Sequence, residues 1–259
     1  MAGSMRSTSE ESNDRLVLQQ PSSARESNRA WLQRLGAPGG VKLDENGIIL
    51  LGGSSVASFR IRVAQSSMRH DLVPSYWSHC GILLGDGRFA TVPLSPGSDV
   101  SAVPGTNGVD LAKLDDFDDP KRYPNVAVIR FARKHDDVRD HINRVQADRS
   151  VIDLPAMMLR WLGFVWGVTG AVNPLTEGIG LPSAAFVETI FAMVGYELTP
   201  GLASRSSCPE AIWQAAKWWQ EFYEKTIAAD AGTQENRRYE GMTPEGYFVI
   251  RQPAAAIAV

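Results

Sequence analysis

Trp77-Ser-His-Cys-Gly-Ile-Leu-Leu-Gly-Asp-Gly-Arg88 is the stretch on which the fold turns. Ile82 to Leu84 is a short apolar run. It stops at Gly85-Asp86-Gly87, a composition that reverses one strand into the next. Phe89-Ala-Thr-Val92 then resumes as the return strand. Read as a hairpin, the segment holds His79 near the start of a strand that enters a core. An imidazole there is either a packing residue or a rigidly aimed acid–base group. Cys80 alternates to the opposite strand face and reads as a small core residue. Trp77, on the same face as His79, either walls a cleft or packs inside.

The chain has 259 residues, enough for one domain with tails. Lys plus Arg number 26 and Asp plus Glu 29, a net charge of -3. The basic residues are dispersed rather than striped, which argues against nucleic acid as a partner. Two cysteines, Cys80 and Cys208, make no disulfide framework. The four histidines never meet them at zinc-like intervals, so neither a metal nor any other cofactor is assigned.

Residues 1–28 are rich in Ser, Glu, Asn and Gln and bury too little surface to offset chain entropy, so they read as a disordered tail. No apolar h-region follows a basic start, hence no Sec signal is read and the compartment is cytoplasmic or reached by a non-Sec route. Ala30 to Leu35 reads as a short helix, Gly47 to Leu51 as a buried strand, and Val126 to Phe131 as another strand. Val56 to Val63 fits both a strand and a helical face. Ser95 to Gly108 is a long polar loop, and residues 136–148 have helical spacing. Leu154 to Val172 is the most apolar tract. Pro155, Arg160 and its glycines interrupt it, so a core helix with a buried turn is favoured over a lipid-binding wall, and membrane contact is not favoured. The domain is placed at 29–230, with 231–259 a C-terminal extension carrying a candidate edge strand.

Leu181-Pro-Ser-Ala-Ala-Phe-Val-Glu-Thr-Ile-Phe-Ala-Met-Val-Gly195 reads as a buried helix. Phe186, Val187, Ile190, Phe191 and Val194 form a wide apolar face, Ser183 fits an N-cap, and Gly195 fits the C-terminal stop.

Tyr76-Trp-Ser-His-Cys-Gly-Ile-Leu-Leu-Gly-Asp-Gly-Arg88 resembles the histidine strand of the circularly permuted NlpC-type papain-like hydrolases, a superfamily that includes lecithin:retinol acyltransferase relatives. In that family the nucleophile follows later and opens a helix of the form Cys-Ser-x-(Phe/Leu)-Val. Ser183-Ala-Ala-Phe-Val187 with Gly195 is similar to it but has serine in place of the cysteine, and Leu198-Thr-Pro200 resembles the loop that follows. The resemblance spans about Gly47 to Trp219. It implies an α+β papain-like fold, an antiparallel sheet packed against a nucleophile-bearing helix. It further implies a thiol-type amidase or peptidase acting on a peptide or amide bond, cell-wall peptide being the common substrate, with the nucleophilic cysteine replaced by Ser183. His79 would be the base, within hydrogen-bonding reach of Ser183, and Thr91 would stand in the slot of the orienting residue. Trp77 would border the substrate.

Cys208-Pro-Glu-Ala-Ile-Trp213 also opens a helix and is the alternative nucleophile; a thiol at a helix N-terminus is expected to have a lowered pKa. Two further functions stay open, a lipid acyltransferase or thioesterase, and a non-catalytic binding protein that keeps the fold without its nucleophile.

Overall fold

Strand β2 (Ile48–Gly52) is an unbroken apolar run because both of its faces are covered. Ile48 and Leu50 point to one side and Ile49 and Leu51 to the other, the strand's period of two dividing the core into two clusters. The computed structural model describes residues 17–35, 46–94, 105–131, 137–229 and 244–252. Among them are seven strands and six α-helices, an α+β arrangement.

The hairpin anticipated from Gly85-Asp86-Gly87 forms between β3 (His79–Leu83) and β4 (Arg88–Thr91). Gly85 and Gly87 take φ of 78° and 80°, the left-handed region that glycine enters without strain. Asp86 accepts from the Arg88 amide at 3.1 Å across the turn. β2 pairs antiparallel with β3 and with β6 (Asn125–Phe131), and β5 (Asp110–Lys113) extends the sheet beyond β4. β7 (Pro244–Ile250) pairs antiparallel with β6 along its whole length. The two-residue β1 (Val17–Leu18) lies parallel to β7, giving the order β1-β7-β6-β2-β3-β4-β5.

One face of the sheet carries α1 (Asn28–Leu35), whose Trp31, Leu32 and Leu35 cover Ile49, Leu51, Phe89 and Val128. The other face carries the main helical layer: α2 (Val56–Ala64), α3 (Val138–Ala147), α4 (Leu154–Val165), α5 (Pro182–Met193) and α6 (Pro209–Ala229). α5 packs over β3 and β4, and α6 meets β7 through Trp213 and Phe248, ring centroids 5.1 Å apart. Val56–Ala64 is a helix, capped by Ser55, whose hydroxyl accepts from the Ser58 amide at 3.1 Å.

The expected domain limits change at both ends. Residues 17–28 are part of the packed domain: β1 joins the sheet, and the Gln19 carbonyl accepts from the Trp31 indole at 3.0 Å. Residues 1–16 lie outside the described residues, as do 95–104 of the long loop. The expected edge strand near the C-terminus is β7, one place in from the edge, with Phe248 and Val249 buried on opposite faces. A strand with that alternation belongs to the core rather than to an extension.

The apolar tract divides into the expected core helix and a turn that is not buried as expected: Val168 and Val172, like Trp166, are exposed. α4 buries Leu154, Met157, Met158, Trp161 and Val165, while Trp166 beyond its end is 75% exposed. No helix among the described residues is long and apolar enough to cross a membrane.

Candidate functional site

His79 opens β3 on the α1 face of the sheet, opposite Leu51. Its ring stacks on Phe117 at 6.1 Å and meets Phe89 edge-on at 6.4 Å. The Thr91 hydroxyl lies 2.8 Å from Nε2 and 2.6 Å from the Cys80 carbonyl. A hydroxyl has one proton, and a carbonyl can only accept. Thr91 therefore donates to Cys80, and its oxygen accepts from the Nε2–H of His79. The tautomer is thereby assigned, with Nδ1 the unprotonated nitrogen. Burial pulls the imidazole pKa down to about 4, so the ring is neutral at pH 7. Phe117 is held in turn by α1, where the Asn28 amide donates to the carbonyls of Phe117 (2.9 Å) and Tyr123 (2.8 Å).

Gly81 is required between His79 and Leu83. A Cβ there would stand 2.6 Å from the Ala90 carbonyl oxygen and 2.5 Å from the Phe89 ring.

Ser183 lies on the other side of the sheet. It is 1% exposed, and its hydroxyl oxygen accepts from the Cys80 thiol across a sulfur–oxygen distance of 3.7 Å. Cys80 and His79 are neighbours on β3, and adjacent strand residues point to opposite faces. The expected hydrogen bond between His79 and Ser183 is therefore not made: the structure joins His79 to Thr91 on one face and Ser183 to Cys80 on the other. Nor is Ser183 the N-cap. Leu181 holds that position and Pro182 the first turn, so the serine sits inside the helix. Gly195 does follow the helix end as expected, with φ 83°, and Tyr196 closes the turn by donating to the Phe191 carbonyl at 2.8 Å.

The alternative nucleophile is equally enclosed. Cys208 precedes α6, whose first residue is Pro209 as anticipated, but it is 0% exposed. Burial pushes its thiol up to about 12, the reverse of the lowering expected at a helix N-terminus, and pushes Cys80 up as well. Desolvation of the thiolate outweighs the attraction of the helix dipole. Trp77 is also corrected. It is buried in the helical-layer core, 5.0 Å from Trp213, and not on the His79 face.

Two buried carboxyls are not assigned a role by the sequence. Glu188, on the apolar face of α5, accepts from the hydroxyls of Thr199 (2.6 Å) and Ser207 (3.0 Å), and burial raises its pKa to about 7. Glu210 accepts from Ser75 at 2.6 Å and from Arg69 at 3.5 Å, and burial raises it too. The available signal was one acid interrupting each apolar helix face. Among the described residues, no group of His, Cys, Asp and Glu is placed to hold a metal ion.

A large concave space lies elsewhere among the described residues. A cavity of about 810 Å³ opens beside α4 and α5, with Val151, Ile152, Met157, Ile179 and Met193 among its walls. Arg149, Arg160 and Arg205 also line it. Neither His79, Ser183 nor Cys208 reaches it. Comparison of the chain with family models, curated proteins and solved structures returned no match.

Proposed function

We propose that this chain is a ligand-binding protein on a permuted papain-like framework whose nucleophile position is closed inside the core. The framework is supported by the order of its parts: a histidine-bearing hairpin, then a helix, α5, laid across the same antiparallel sheet. The loss of catalysis is supported by one observation above all. His79 and Ser183 stand on opposite faces of β3 and cannot exchange a proton. With no base at hand and no solvent path, the serine hydroxyl is a core polar group satisfied by Cys80. Peptide and amide bonds, cell-wall peptide included, are then not turned over, and the cavity beside α4 and α5 is the place where a small ligand is held.

The test is turnover of peptide, amide and ester substrates by the protein, by Ser183→Cys and by Ser183→Cys with His79→Ala. None of the three is expected to turn over. A gain of about two orders of magnitude in Ser183→Cys, on the order of 3 kcal/mol of barrier, that disappears with His79→Ala would restore the hydrolase and overturn the proposal.

A further inference from the structure

The cavity beside α4 and α5 has two chemistries in one space. Val151, Ile152, Met157 and Met193 give it apolar walls, and Ile179 and Ala203 continue them. Its charged lining is unequal: Arg149, Arg160 and Arg205 face a single acid, Asp153. Asp153 is already engaged, holding Arg149 at 2.7 Å and capping α4 through the Ala156 amide at 3.1 Å. Arg160 and Arg205 are exposed and have no carboxylate partner among the described residues. Two unneutralised guanidinium groups beside an apolar hollow suit a ligand that carries both an acidic head and a hydrocarbon chain. At about 810 Å³ the space is within the roughly 300–1,000 Å³ of sites that enclose small organic ligands.

We infer that this cavity binds a single-chain anionic amphiphile, its acidic head on Arg160 and Arg205 and its alkyl chain against Met157, Ile179 and Met193. The inference rests on the ligand-binding reading of the chain. A carboxylate or a phosphate head satisfies the same pair of arginines, so the shared chemistry is the anion joined to the chain. An uncharged amphiphile fills the walls but leaves the arginines to water. A small inorganic anion reaches the arginines but gains nothing from the walls.

Isothermal titration of the full chain separates these contributions. The probes are octyl, decyl and dodecyl phosphate, laurate, dodecyl maltoside and inorganic phosphate, the amphiphiles below their micelle concentrations. Saturable binding is expected for the alkyl phosphates, tightening about threefold to fourfold for each added methylene, with laurate following dodecyl phosphate. Arg160→Gln combined with Arg205→Gln should weaken dodecyl phosphate at least about tenfold, the scale of two lost charge-assisted contacts, and leave dodecyl maltoside unchanged. Ala192→Trp, at an exposed position of the cavity lining, should weaken every amphiphile without disturbing the core. The inference is overturned by inorganic phosphate binding as tightly as dodecyl phosphate, by affinity that ignores chain length, by an unchanged double arginine variant, or by no saturable binding. None of these outcomes depends on Ser183, so failure here is distinct from the appearance of Ser183→Cys turnover, which removes the binding reading itself.

Discussion

Replacing Glu188 by glutamine should make the protein more stable at alkaline pH and leave it little changed in acid. The folded carboxyl ionises at about 7, raised by burial from an ordinary value of 4.5. Below pH 4.5 it is protonated in folded and unfolded chains alike. Between 4.5 and about 7 the unfolded chain releases the proton first, so stability falls as pH rises, and the whole loss is in place above 7. At ~1.4 kcal/mol for each pH unit, that window amounts to roughly 3 kcal/mol. Glutamine keeps an oxygen for Thr199 and Ser207 but does not titrate. Urea unfolding followed by tryptophan fluorescence, at about pH 5 and about pH 8, measures the difference between the two proteins. The variant's advantage should grow by about 2–3 kcal/mol between those conditions. His79 titrates in the opposite sense. Its lowered folded pKa gives stability that is present above the unfolded value and lost as pH falls toward 4. That contribution is common to both proteins and cancels. A difference between them that is the same at both pH values would refute the assignment of Glu188 as a buried, burial-raised acid.

Three further outcomes are expected. Thr91→Val removes the acceptor of His79 and the donor to the Cys80 carbonyl, and should cost about 1–3 kcal/mol in urea unfolding; an unchanged midpoint would show that the bonds contribute nothing net. Neither Cys80 nor Cys208 should react with iodoacetamide near neutral pH until the protein unfolds, since both thiols are buried and held above their usual range; mass spectrometry that finds rapid native labelling of Cys208 would reopen its candidacy. Gly81→Ala places a methyl against the backbone of β4 and should destabilise on the order of 3 kcal/mol by thermal unfolding, whereas Gly87→Ala, with open space around it, meets only its unfavourable φ.

Most of the sheet was legible because its residues repeat with period two or form short apolar runs closed by glycine. Ile48–Gly52, the β3–β4 hairpin and Asn125–Phe131 all appear within a residue or so of their expected limits. Val56–Ala64 was ambiguous because Phe59, Ile61 and Val63 alternate as a strand does, and its helix is fixed by the Ser55 cap and by packing rather than by pattern. The parity of Cys80 was readable too, as a core residue pointing away from His79. What periodicity does not contain is the face on which a distant helix lands. α5 covers the Cys80 face, and that one fact separates Ser183 from the histidine. Residues 17–28 were misread for a related reason: a two-residue strand and a helix start have little local signal, and their order comes from β7 and from Asn28.

The position of β7 also bears on how the chain is made. Among the described elements it is the last to be synthesised, yet it belongs beside β6, with β1 outside it. Until it emerges from the ribosome, Asn125–Phe131 has a neighbour on the β2 side and a row of bare amides and carbonyls on the other. An exposed apolar strand of this kind is a template for pairing with another nascent chain. Closing the sheet also waits on a contact between segments far apart in sequence, which makes folding slow for a domain so rich in helix.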